Sequence, residues 1–302
     1  MSPQINENIL TEIFVETDDL YKAYLNWCRQ HGFTSLFAAK RHSRLSPSEV
    51  VTIIIAYHLS GYKCFEYYYH QCILSTFLHD FPDAPCYKRF ISYIIRALPL
   101  LLVLAVSKCR QSVHSGYYFI DSKKLEVCHL RREKSHKVFE GIARKGKGST
   151  GWFFGLKLHL VINHLGQIVS FVVTPANVAD NNPDVLRHLL KGLSGKCGGD
   201  KGYLTTLFEQ FYQQGLHLLV RPKKNMKPLA ALKSDVVFLK HRPLIESVND
   251  ILATVCDVEH SRHRNPFHGL ANIYAALIAY QYLPSKPHLF IPATVNYLHQ
   301  AA

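Results

Sequence analysis

Paired cysteines are missing from this chain. Its eight cysteines (Cys28, Cys64, Cys72, Cys86, Cys109, Cys128, Cys197 and Cys256) stand singly, with no CxxC pair of the kind that holds zinc or cycles between thiol and disulfide. They are expected to be free core thiols of a cytosolic protein. Long apolar runs are missing too. The longest, Ala97 to Ser107, is interrupted by Pro99 and flanked by Arg96 and Lys108, and it falls far short of the roughly 20 residues that span a bilayer. The N-terminus has no charged-then-apolar pattern of a signal peptide. A cytoplasmic protein without a membrane partner is the expectation. Acids are scarce: 22 Asp and Glu face 35 Lys and Arg, a formal net charge of +13. Such a surface attracts polyanions, most commonly nucleic acid. No internal repeat is evident. What is present, 302 residues of which 48 % are hydrophobic, suits one large packed domain or two ordinary ones rather than a disordered chain.

The first 110 or so residues read as helices. Ser46, Pro47 and Glu49 form a start signal, with Ser46 as cap, Pro47 at the first helical position and Glu49 closing a capping box. The helix then runs through "VVTIIIAYHLS" to Gly61, apolar nearly all round and therefore buried. A second helix carries "CFEYYYHQCILSTFL" and stops near Pro82. A third begins around Cys86, and Pro99 is expected to kink or divide it.

From Tyr117 the period changes to two. "YYFID" is a short strand, and in "WFFGLKLHLVIN" Trp152, Phe154, Leu156, Leu158, Leu160 and Ile162 share one face while Lys157, His159 and Asn163 take the other. "NHLG" turns the chain into "QIVSFVVT", an antiparallel partner. A helix opened by Asn182 and Pro183 and closed by Gly192 follows, then a strand ending at Asp200, a helix closed by Gly215, and the strand "LHLLV". A basic loop from Arg221 to Arg242 leads to a helix from Pro243 to about Val255. Three strands followed by strands alternating with helices predict an α/β fold, a mixed sheet flanked by helices.

Asp121 ends the first of these strands and Asp200 the fourth. Ligands of open α/β sheets bind at the carboxyl ends of adjacent parallel strands, so if these two strands are neighbours the carboxylates face each other. Two such groups repel unless a proton or divalent cation lies between them, and magnesium, an oxygen-seeking ion that substrate phosphates can share, suits the place. Glu246, on the polar side of its helix with Asn249 and Asp250, makes a third candidate. Pattern alone leaves other roles open: Asp121 as a turn cap before Ser122, Asp200 as a turn aspartate beside Gly199, Glu246 as a partner of its helix dipole.

Taken in order, "FIDSKKL", "GGDKGY" and "LIESVND", with "LSPSEVVTIIIAYHLSGY", "PCYKRFISYI", "GWFFGLKLHLVIN", "TPANVAD" and "EHSRHRN", make the chain resemble the DDE transposases of bacterial insertion sequences, most closely the insertion-sequence-982 group. The resemblance implies a ribonuclease H-like catalytic core over residues 113–302 preceded by a helical, end-binding region over 1–112. It implies Asp121, Asp200 and Glu246 as catalytic metal ligands for two Mg²⁺ ions, with Mn²⁺ able to substitute. The activity it implies is cleavage at transposon ends and joining of the 3′-hydroxyl to target DNA. The partners are terminal inverted repeats and target DNA, met as a dimer or larger assembly at the nucleoid. Relatives commonly carry a basic residue two turns after the glutamate, where this chain has Ala253. That departure keeps a second reading open, a DNA-binding protein of transposase ancestry that no longer cuts.

The cations around the acids are the expected DNA contacts. Between Asp121 and Thr150 lie Lys123, Lys124, Arg131, Arg132, Lys134, Arg144, Lys145 and Lys147, in what reads as a glycine-loosened loop that orders on a phosphate backbone. Lys201, Arg221, Lys223, Lys224 and Arg242 follow, and Arg262 and Arg264 of "SRHRN" read as a phosphate clamp. His159, beside Lys157 on the polar face of its strand, fits either a place near the scissile phosphate or metal site, or a surface or hydrogen-bonded core position.

Overall fold

The computed structural model describes residues 5–33, 44–148, 151–221, 232–259 and 263–290. The chain gathers into two compact units, one of residues 1–108 with 251–283 and one of 109–250 with 284–302. A helix near the end of the sequence thus packs with the first helices.

The helical unit holds α1 (Glu7–Gln30), α2 (Pro47–Leu59), α3 (Phe65–Tyr68, continuing as a wide turn over Tyr69–Thr76), α4 (Tyr87–Arg110) and α9 (Pro266–Tyr282). The capping box forms as the sequence predicts: Glu49 N–H donates to Ser46 Oγ at 3.1 Å, and Ser46 N–H donates to Glu49 Oε2 at 2.6 Å. Helix α2 is buried along almost its whole length and packs on α1 and α9. Gly269, Ala271, Ala275, Ala276 and Ala279 give α9 the small buried face that allows that approach.

Helix α4 passes through Pro99 undivided. By length and composition it would cross a membrane, which the interrupted apolar run did not predict. Phe90, Ala97, Leu100, Leu101 and Leu104 on it are buried in the protein, while Ile95, Leu102, Val103 and Val106 are exposed.

The sheet unit is mixed α/β. Its strands are β1 (Tyr117–Cys128), β2 (Arg144–Gly148), β3 (Gly151–Asn163), β4 (Ile168–Pro175), β5 (Gly195–Gly199) and β6 (Leu216–Val220). The order is β2-β3-β1-β5-β6, with β4 also paired to β3. β1 runs antiparallel to β3 and parallel to β5, and β5 runs parallel to β6. The β3–β4 hairpin turns on Asn163, whose Oδ1 accepts from Leu165 N–H and Gln167 N–H, both at 3.0 Å, and on Gly166 at φ +70.

Helices cover both faces. α5 (Pro183–Leu189) packs on β3 and β4, α6 (Phe208–Gln213) on β6, and α7 (Lys233–Leu239) on β5 and β6. On one face Tyr118, Ile120 and Val161 join Leu186, Leu189 and Phe211. On the other, Phe119 stacks on Phe238 of α7, with centroids 4.9 Å apart. α8 (Pro243–Thr254) carries Glu246.

Three expectations change here. The polar face of β3 is interior: Lys157 and His159 are 8 % and 0 % exposed, because α5 packs on the strand and the loop after β4 takes the Lys157 ammonium. The glycine-loosened loop is largely built structure. β1 extends to Cys128, a 3-10 turn covers Leu130–Ser135, and Arg144–Gly148 is a strand paired to β3. Gly146 serves contact and not flexibility, since a Cβ there would lie 2.2 Å from the Ala176 carbonyl oxygen. Within the basic segment before Glu246, residues 233–239 form α7, pinned to β5 by a buried Lys196–Asp235 ion pair of 2.7 Å.

Candidate active site

The parallel register decides where the acids meet. Phe119 lies opposite Gly198, so Asp121 and Asp200 each stand two residues beyond that pair: Asp200 just past the end of β5, and Asp121 not at the strand end the sequence predicts but within β1, which runs on to Cys128 because it stays paired with β3. The glycines before Asp200 permit that closeness: a Cβ on Gly198 would meet Phe238 at 3.1 Å, and one on Gly199 would meet Ile120 Cγ2 at 3.0 Å.

Asp121, Asp200 and Glu246 line one open cleft of about 1200 Å³. A fourth carboxylate, Asp180, lines it as well. Asp180 comes from the loop after β4 and is held from two sides: Ser122 Oγ donates to its Oδ1 at 2.8 Å, and Lys157 Nζ at 3.0 Å. Lys157 also donates to the Val178 carbonyl at 2.8 Å, so its buried ammonium is satisfied by the loop it anchors. The other wall is the start of α8. There Arg242 binds Glu246 Oε1 at 2.6 Å, and Asn249 Nδ2 donates to Asp121 Oδ2 at 3.2 Å.

Asp121 is perturbed by its surroundings. Burial first, then the negative charges of Asp180 and Glu246, push its carboxyl up to about 6, against the Ser122 backbone N–H and Arg242, which favour the charged form.

Of the expected DNA contacts, Lys123, Lys124, Lys147, Lys201 and Arg242 line the cleft. Arg131, Arg132, Lys134, Arg144, Lys145 and Arg221 are exposed on the same unit without lining it. Arg264 belongs to the helical unit, where it borders a separate pocket with Tyr57, Phe65 and Tyr87. Lys223, Lys224 and Arg262 lie outside the described residues. His159 does not line the cleft. It is buried against Thr174, Nε2 to Oγ1 2.9 Å, and burial pushes its pKa down to about 4, so the ring is neutral.

Sequence reading passed over Asp180, Lys157 and Asn249 as members of the site. Asp180 ends "TPANVAD", a polar stretch directly after a strand, and Asn249 lies one turn after Glu246; those positions were the available signals.

One cleft thus holds four carboxylates under a rim of lysines and an arginine. The family described as transposase DDE domain matches residues 111–266, just over half of the chain, and the chain belongs to that family. No curated protein matches the sequence.

The acids suit a hard divalent cation by donor type, because every one presents carboxylate oxygens, and a cation would offset the charge that raises Asp121. Among the described residues no three His, Cys, Asp or Glu stand close enough to enclose an ion, and Glu246 is occupied by Arg242.

Proposed function

We propose that the protein is an active transposase of the insertion-sequence-982 group, which cleaves transposon ends and joins the freed 3′-hydroxyl to target DNA. The observation that carries this reading is the meeting of Asp121, Asp200 and Glu246 in one cation-rimmed cleft, in a chain of the DDE family. The strand order β4-β3-β1-β5-β6, three antiparallel strands followed by two parallel ones, supports a ribonuclease H-like core over residues 113–302. Residues 1–112 are proposed to bind the terminal inverted repeats. The acting species is a dimer or larger assembly on DNA at the nucleoid.

In this reading Asp121, Asp200 and Glu246 would hold two Mg²⁺ ions, whose chemistry when bound would be activation of the attacking hydroxyl and neutralisation of developing charge. The chain's own groups do the positioning. Asn249 orients Asp121 through its amide, and Lys157 with Ser122 fixes Asp180 beside it. Arg242 releases Glu246 to join the other two acids and turns to a phosphate, a change of partner that DNA entering the cleft favours. Lys123, Lys124, Lys147 and Lys201 neutralise the backbone along the cleft.

The test is cleavage of labelled transposon ends in magnesium by Asp121→Ala, Asp200→Ala and Glu246→Ala. Each is expected to lose at least about a thousandfold in rate while still binding the ends, and wild-type rates in any one remove that residue from the set. A second reading, a DNA-binding protein that no longer cuts, draws on the Arg242–Glu246 pair and on Ala253. Tight end binding by the wild-type chain without magnesium-dependent nicking selects it.

A further inference from the structure

The β2–β3 hairpin carries an aromatic side chain that packing does not explain. Trp152 is 57 % exposed, while its neighbour Phe153 is 3 % exposed. The ring is attended by cations. Lys147 stands directly opposite it in the strand register, with Lys145 two residues back along β2, and their ammonium groups lie 6.0 and 5.1 Å from the ring centroid. The hairpin adjoins the acids: Lys147, Gly148 and Phe153 line the same cleft as Asp121 and Asp200. It is also fixed in place, since the close approach of Gly146 to Ala176 leaves β2 no room to slide.

An indole offers a flat face that loses little rotamer freedom on binding, and nucleobases stack on such faces regardless of sequence. A base within a duplex has both faces covered by its neighbours, so the ring suits one that is unpaired. Ammonium groups beside the ring attract the phosphates on either side of that base, and as they turn to those phosphates the indole is uncovered. We propose that Trp152 is a stacking platform for an unpaired base of the DNA strand lying in the acid cleft, with Lys145 and Lys147 on the flanking phosphates. This inference rests on the reading of the cleft as a DNA site and adds to it a preference for strand ends or frayed stretches.

The test exploits the fact that the chain has only two tryptophans. Trp27→Phe leaves Trp152 as the sole indole. Its emission, read alongside anisotropy of labelled DNA without divalent ions, is expected to be quenched by a duplex with a short single-stranded overhang and much less by a blunt duplex. Trp152→Ala should bind the overhang DNA about tenfold to a hundredfold more weakly, with blunt-duplex affinity unchanged, and Trp152→Phe should restore most of the loss. Overhang DNA that binds with unchanged emission, and equally to wild type and Trp152→Ala, overturns the stacking role alone. A wild-type chain that binds neither DNA overturns the DNA reading of the cleft and the stacking role together.

Discussion

The two walls of the acid cleft are built on different principles. On the sheet wall, Asp121 and Asp200 are placed by strand pairing, and Asp180 is tied down by a lysine whose side chain is only 10 % exposed. On the helix wall, Glu246 projects from the first turns of α8 with its side chain 52 % exposed, held by an arginine four residues back. The first wall is set by backbone register and buried bonds; on the second, Asn249 is buried and bonded to Asp121, but the glutamate itself is held only by a half-exposed ion pair. Buried pairs are expensive to break and exposed ones are cheap, so the sheet wall should behave as a fixed template and the helix wall as the part that yields to a ligand.

Lys157→Met should break this contrast most severely. The stem packing is kept but Asp180 and the Val178 carbonyl lose their donor; with Asp180 about one-third exposed, a loss of about 2 kcal/mol is expected, read as a lower urea midpoint at unchanged slope.

Asp121→Asn should act in the opposite direction on stability. Because the folded protein raises this carboxyl from 3.8 to about 6, it binds the proton more tightly than the unfolded chain does. Its contribution is therefore favourable at low pH and is lost as pH rises through about 6. In the absence of divalent ions the asparagine should stabilise the protein by on the order of 1–3 kcal/mol at pH 7.5, a gain that disappears below about pH 4 in thermal melts run across pH. A destabilised Asp121→Asn at neutral pH would contradict the picture of an uncompensated acid.

Arg242→Gln, on the helix wall, should change stability by less than about 1 kcal/mol. It should also lower the magnesium needed for half-maximal cleavage, since Glu246 is then free. A large fall in stability would place the helix wall with the sheet wall.

The sequence revealed some of this plainly and some not at all. Period two, capping residues and turn glycines located β3, β4, α2, α5 and α8 because those signals act within a few residues. "YYFID" and the "GGD" before Lys201 pointed to neighbouring parallel strands because the chain order of an α/β sheet limits how strands can pair, but nothing in "YYFID" showed that the strand runs on past Asp121 to Cys128. The limits are equally physical. Lys157, His159 and Asn163 alternate with apolar residues as a solvated face would, and only α5 and the loop after β4, arriving from elsewhere in the chain, show that this face is interior. β2 is too short and too rich in glycine and lysine to show a strand pattern; it is a strand through its pairing with β3, and the close contact of Gly146 with Ala176 lies some thirty residues away in the sequence. Asp180 became a cleft residue through tertiary bonds to Ser122 and Lys157, neither of which leaves a local trace.

The pairing of Phe119 with Gly198 works as a gauge. The separation of Asp121 and Asp200 is inherited from the spacing of adjacent strands, about 4.8 Å, and not from the shape of any side chain. Residues along β1 and β5 are therefore open to exchange so long as they pack. The insertion or deletion of a single residue between the paired position and either acid turns that carboxylate to the opposite face of the sheet, so chain length, more than composition, guards this part of the molecule.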